Sequence, residues 1–219
     1  MNKKISFFFT IAIIISCVTA VFLIIYNYNL ISSINEEESS SQLSILPEDE
    51  TTIISNLPND LLVVDKIITW GYYVPSQTRI IDTVIIHSSY DALGTDPYSV
   101  DGVIYEYKLY NVSAHYLIDR NGTIFKLVED KNIAYHAGSG KMPDDRININ
   151  NFSIGIELLY HENEMPNEIQ YQRLVRLIKN LKLKYKINYI LGHKDIAPSR
   201  KTDPWNFNWQ KFNEMLKNK

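Results

Sequence analysis

Apolar positions along the chain fall into short β-branched runs separated by stretches in which they recur every three or four residues. Residues 80–86 (IIDTVII) read as a buried strand ending at His87, and 152–159 (FSIGIELL) and 187–192 (INYILG) as two more, the last ending at His193. Leu174, Leu177, Ile178, Leu181 and Tyr185 keep to one helical face over 167–185, and further helices are expected over 97–110 and 206–217. Segments 112–119 and 123–128 flank Asn121 and Gly122, a hairpin signal because both residue types tolerate positive φ. Strands and helices therefore mix around one sheet, which predicts an α/β or α+β domain with a central sheet flanked by helices.

A different pattern opens the chain. After Lys3 and Lys4 it is almost wholly apolar from Ile5 to Tyr26, long enough to cross a hydrocarbon core of about 30 Å. Positive charge before this run and acid after it predict a cytoplasmic amino terminus and an extracytoplasmic remainder. The run reads as an uncleaved anchor over 1–33; cleavage after Ala20 and lipidation at Cys17, which ends a lipoprotein-like ILE-ILE-SER-CYS box, are the other readings. Residues 34–64 hold seven acidic residues, no Lys or Arg and a serine run at 39–41, the composition of a solvated tether. The domain proper is then expected over 65–219.

Composition adds exclusions. The 22 Lys and Arg against 25 Asp and Glu leave no basic excess of the kind that marks a nucleic-acid binder. With the tether acids and Lys3 and Lys4 set aside, the domain is near neutral. The single cysteine rules out an intrachain disulfide and a thiolate zinc cluster.

The candidate chemistry lies where apolar strands meet polar loops. His87 and His193 occupy two such ends, and Asp203 follows His193 by ten residues inside GHKDIAPSRKTDPW, where Pro198 and Pro204 stiffen the loop. Two imidazoles and a carboxylate form a catalytic zinc set that leaves a fourth position open; hydrogen-bonded structural histidines and a turn-forming Asp are the alternative. Alternation in FSIGIELL puts Ile154, Ile156 and Leu158 on one face and Ser153, Gly155 and Glu157 on the other. The small neighbours are expected to leave open space beside Glu157, a candidate general base unless it is a salt-bridge partner.

Five motifs stand in order along residues 80–212: TVIIHSS, VSAHYLIDRNGTIFKLV, AYHAG, SIGIELL and GHKDIAPSRKTDPW. In them the chain resembles the zinc-dependent N-acetylmuramoyl-L-alanine amidases of the type 2 amidase fold, relatives of the peptidoglycan recognition proteins and of phage amidase-type lysozymes. The resemblance implies zinc held by His87, His193 and Asp203, Glu157 as the catalytic glutamate, and Lys201 facing the substrate carbonyl. It implies that His136 and Tyr135 line the cleft near substrate, and that His115 borders the site from a neighbouring strand. His161, in the polar run HENEMPNE, reads as exposed and idle. Tyr135 stands where many members have Trp, and Trp205 where a Gly is common. The implied reaction is hydrolysis of the bond between the lactyl group of N-acetylmuramic acid and L-alanine, with peptidoglycan or muropeptides as partner. The rival functions are a membrane-tethered peptidoglycan-binding module with little catalysis and a non-enzymatic envelope protein whose strand-end histidines are structural.

Overall fold

The computed structural model describes residues 63–218. The expected anchor, with Ala20 and Cys17, and nearly all of the expected tether lie outside the described residues. The chain runs β1 (Val63–Asp65), β2 (Tyr72–Tyr73), β3 (Thr83–Ser89), α1 (Val100–Leu109), β4 (Tyr116–Ile118), β5 (Ile124–Lys126), β6 (Ile133–Ala134), a 3-10 turn (Ile149–Asn151), β7 (Ser153–Leu159), α2 (Glu168–Lys184), β8 (Tyr189–Gly192), α3 (His193–Ile196) and α4 (Trp209–Lys217). Six strands form one sheet in the order β1-β5-β4-β7-β3-β8, in which only the β4–β5 pair is antiparallel; β2 and β6 form a separate antiparallel pair. The hydrophobic pattern predicts this central sheet flanked by helices, and the structure shows that the sheet is mostly parallel.

The sheet buries both faces, but differently. Val84 and Ile86 of β3, Ile154, Ile156 and Leu158 of β7, and Tyr116 and Ile118 of β4 pack against Leu174, Leu177, Ile178 and Leu181 of α2 and Phe212 of α4 in one continuous apolar cluster. The opposite face carries two smaller clusters. Leu117 and Leu159 pack under Val103, Ile104 and Tyr107 of α1, while Ile85 packs with Met142, Ile149 and Ile196. His87 and Glu157, paired in register on adjacent strands, point to this second face. The first cluster is therefore the main hydrophobic stabilisation, and the second face supplies a polar seam between apolar banks.

Element ends differ from the sequence expectation for identifiable reasons. β3 begins at Thr83, leaving Ile80 largely exposed, and runs two residues beyond His87 because β7 stays paired with it through Ser89↔Leu159. Only Tyr116–Ile118 of 112–119 is strand, since the Ser113 and His115 amides donate to Tyr135 and Gly155 carbonyls on two different segments. In the β4–β5 turn Gly122 takes φ 82°, whereas Asn121 does not enter positive φ; Asp119 Oδ1 accepts from the Asn121 and Thr123 amides and closes the turn. His193 opens a one-turn helix just after its strand, and α4 starts at Trp209, behind Asn206 at φ 48° and the N-cap Asn208. Val63 and Val64, placed with the tether by composition, pair with Ile124 and Phe125.

α2 forms where expected because its apolar stripe has a strong start signal. Asn167 accepts from the Gln170 amide while the Gln170 side chain accepts from the Asn167 amide, a reciprocal cap that satisfies two otherwise orphaned donors. Phe212 of α4 is fully buried among Phe207 and Trp209, an aromatic group just downstream of Asp203. Phe212→Ala is expected to destabilise the fold by about 3–5 kcal/mol, read as a lower denaturant midpoint at unchanged slope.

Candidate active site

Three elements converge on the polar seam. His87 comes from β3, His193 from the first turn of α3 and Asp203 from the loop that follows, whose carbonyl accepts from the Lys194 amide at 2.8 Å. All three side chains are buried. His87 Nδ1 and His193 Nδ1 lie 2.9 Å apart, and Asp203 Oδ2 lies 3.3 Å from the first and 3.1 Å from the second. The sequence therefore named three residues that the fold brings together.

The surrounding hydrogen bonds determine which atoms carry protons. Ser153 Oγ donates to the Ile149 carbonyl at 2.7 Å, so it accepts from His136 Nε2 at 3.1 Å. His136 Nδ1 is then a lone pair and accepts from His87 Nε2 at 3.0 Å, which leaves His87 Nδ1 unprotonated. His193 Nε2 faces only the Ala137 carbonyl, at 2.9 Å, and donates to it, so in the neutral ring the Nδ1 carries the lone pair. Burial pushes the His87 imidazole down to about 4 and His136 well below the usual range, so both rings are neutral. With both rings neutral, two nitrogen lone pairs and a carboxylate oxygen converge on one point. Such a donor set fits a divalent cation, and its imidazole and carboxylate composition suits zinc with an open position.

His136 reaches its place because β7 carries glycine beneath it. A Cβ on Gly155 would lie 2.5 Å from His136 Cγ. The space over Gly155 is thus taken by an imidazole, while Glu157 itself lines an open cleft. His136 lies behind His87 as well as in the cleft wall, a placement the sequence signalled only through the small residues Ser153 and Gly155. His115 is fully buried one layer further back: its Nδ1 accepts from the Gly155 amide at 3.0 Å and its Nε2 lies 3.2 Å from the Asn132 carbonyl. It does not line the cleft with the others.

Glu157 stands across from His87 in an open cleft of about 360 Å³ that also holds Lys201, Tyr135 and Trp205. Its Oε2 is shut off from solvent and has no hydrogen-bond partner among the described residues, so the salt-bridge alternative does not hold there. Burial, with the charge of Asp203, pushes the carboxyl up to about 8, while the Ser89 hydroxyl and the Lys201 ammonium act the other way. Trp205 closes one end, its amide donating to Ser88 Oγ and its indole to Thr202 Oγ1. His161 is half-buried against Tyr90 at 4.6 Å between ring centres, not exposed, because its segment folds back under the Asn206 amide, which donates to the Glu162 and Glu164 carbonyls. Sequence reasoning also missed Arg200, whose guanidinium donates to the Ala137 carbonyl at 2.7 Å and braces the acceptor of His193.

Residues 77–206 match the N-acetylmuramoyl-L-alanine amidase family. The chain belongs to this family. The 1,6-anhydro-N-acetylmuramyl-L-alanine amidase AmpD of Enterobacter cloacae is 41% identical over 108 residues, covering 48% of this chain and 57% of that protein. The N-acetylmuramoyl-L-alanine amidase AmiD of Escherichia coli is 34% identical over 120 residues, 46% of this chain and 43% of that one. The chain spans about half the length of the curated relatives it matches. A crystal structure of a selenomethionine AmpD derivative superposes with a TM-score of 0.59 at 30% identity, over 69% of this chain and 94% of that one. AmiD of Escherichia coli bound to anhydro-N-acetylmuramic acid-L-Ala-D-γ-Glu-L-Lys superposes at 0.55 and 26% identity, over 66% and 65%. The family's amidase fold thus carries the converging donors described above.

Two expectations follow for the ligand geometry. His136→Leu, which removes both ring nitrogens, should weaken zinc affinity by about 10–100-fold, whereas His136→Asn, whose Oδ1 takes the place of Nδ1, should keep most of it in a competition titration against a chelating dye. Gly155→Ala should cost about 1–3 kcal/mol of stability through the clash with His136, visible as a lowered Tm.

Proposed function

We propose that this chain is a zinc-dependent N-acetylmuramoyl-L-alanine amidase that hydrolyses the amide between the lactyl group of N-acetylmuramic acid and L-alanine in peptidoglycan or its muropeptides. One observation carries the reading: His87 Nδ1 and His193 Nδ1 converge with Asp203 Oδ2 in the same cleft as a lysine and Glu157, whose Oε2 has no hydrogen-bond partner among the described residues. Family membership and the muramyl peptide named in the AmiD complex support the choice of substrate.

A zinc ion held by His87, His193 and Asp203 would supply Lewis acidity, making a water easier to deprotonate and the scissile carbonyl easier to attack. Glu157 takes a proton from the water as its oxygen bonds to the carbonyl carbon, and passes it to the alanine nitrogen as the carbon–nitrogen bond breaks. A carboxyl pushed up to about 8 is near the working pH, so it can both accept and return that proton. The Lys201 ammonium, in the same cleft wall, offsets negative charge growing on the carbonyl oxygen. His136 keeps His87 in the tautomer that presents Nδ1, and Tyr135 offers an aromatic wall to the substrate. An extracytoplasmic position, with the apolar run from Ile5 to Tyr26 as membrane anchor, suits a wall substrate; the support for it is the sequence pattern alone.

Purified peptidoglycan incubated with the full chain and zinc should release stem peptides with a free L-alanine amino terminus, read by mass spectrometry. Chelation should abolish the release. Glu157→Gln should slow it by about 10²–10⁴-fold and Lys201→Met by about 10²–10³-fold. Unchanged wall from a folded, zinc-loaded sample would overturn the proposal.

A further inference from the structure

Beside Glu157 lies a pair of hydroxyls that the proposed reaction leaves unused. Ser89 closes β3 two residues past His87, on the same face of the strand, and its register partner Leu159 follows Glu157 by the same two residues. Ser89 therefore sits one diagonal step from Glu157, within side-chain reach across the two strands. Tyr107, in the last turn of α1, is buried with Leu117 and Leu159, and its hydroxyl lies 2.8 Å from Ser89 Oγ. Ser89, Tyr107 and Glu157 all line the catalytic cleft.

Each hydroxyl has one proton to give and two lone pairs to receive with. The bond between Ser89 and Tyr107 uses one proton, and neither oxygen has another partner among the described residues, so one proton is left without an acceptor. Glu157 Oε2 is the converse, an acceptor without a donor. It is closed to solvent, so bulk water cannot serve it, and leaving it bare forfeits the hydration it lost on burial. A surplus proton thus borders an oxygen that lacks one.

The direction of the chain follows from the chemistry of the two hydroxyls. A phenol is the stronger hydrogen-bond donor and an aliphatic hydroxyl the better acceptor, so Tyr107 gives to Ser89 and Ser89 has the proton to spare. Burial holds the Tyr107 phenol well above its ordinary value, with the Glu157 charge pushing the same way, so it keeps its proton. Against the burial that raises the Glu157 carboxyl, both hydroxyls act downward, Ser89 more than Tyr107. Donors arranged head to tail also polarise one another, which strengthens the last bond in the chain.

We propose that Ser89 and Tyr107 are positioning residues for Glu157: Tyr107 donates to Ser89, Ser89 turns its proton to Glu157 Oε2, and the carboxyl is held with its other oxygen toward the attacking water. The inference rests on the amidase reading for the role of Glu157. Without the chain the carboxyl is free to rotate, so the loss falls on the chemical step and leaves substrate and zinc binding in place.

The test follows stem-peptide release by the zinc-loaded full chain as wild type, Ser89→Ala, Ser89→Thr and Tyr107→Phe, each alone and combined with Glu157→Ala. Ser89→Ala is expected to lower kcat about 10-fold, the rate equivalent of one hydrogen bond to a charged group, with KM and zinc affinity unchanged. Ser89→Thr keeps the hydroxyl and should restore most of kcat, and Tyr107→Phe should cost less than Ser89→Ala because Ser89 retains its own proton. Combined with Glu157→Ala, where no carboxyl remains to be held, the same substitutions should alter the residual rate by less than about two-fold. A second readout needs no turnover: the infrared carboxyl band of Glu157, isolated as the difference between wild type and Glu157→Ala, should shift in Ser89→Ala and return in Ser89→Thr. An unchanged kcat in Ser89→Ala, equal losses with and without the Glu157 carboxyl, a fall in zinc affinity that matches the fall in kcat, or an unmoved band would overturn the inference. A band that shifts as expected in a chain that releases no stem peptide would uphold the hydroxyl pair and overturn the amidase reading.

Discussion

Electron-rich atoms that repel one another do not stay within about 3 Å in a buried place unless something on either side holds them or something between them is positive. In this protein the holding is visible for both imidazoles. The chain from the Ile149 carbonyl through Ser153 and His136 ends on His87 Nε2, and the Ala137 carbonyl, braced by Arg200, ends on His193 Nε2. Each anchor turns a ring so that its Nδ1 meets Asp203. The positions of β7, of the AYHAG segment and of the loop after α3 all follow from keeping those three atoms together.

That requirement explains the asymmetry of the sheet. One face is spent on a single apolar cluster with α2 and α4, which can be assembled from interchangeable hydrophobes. The other face has to leave a polar seam between β3 and β7, so its apolar residues separate into a cluster under α1 and another under α3. Gly155 and Ser153 are small because an imidazole passes over them, and Glu157 keeps one carboxyl oxygen without a hydrogen-bond partner among the described residues.

Much of this was legible in the chain. The β-branched runs marked β3, β7 and β8, the helical stripe marked α2, and alternation along SIGIELL put Glu157 on the face away from the main core. His87 and His193 were conspicuous as polar residues at the close of apolar runs. The extent of β3, the short reach of β4 and the late start of α4 were not legible, because each depends on which neighbouring segment offers a hydrogen-bond partner. That an imidazole fills the space over Gly155 was not legible for a related reason: a glycine shows that something comes close but not what.

The sequence by itself determined the mixed fold, the two-faced strand bearing Glu157 and the residue types able to hold a cation, because periodicity and side-chain chemistry are local properties. Tertiary structure alone decided that His136 orients His87, that His115 lies behind the site and that His161 packs on Tyr90. Those outcomes depend on contacts between segments tens of residues apart, where a single packed Cβ or one carbonyl acceptor selects the arrangement, and no local pattern along the chain records that choice.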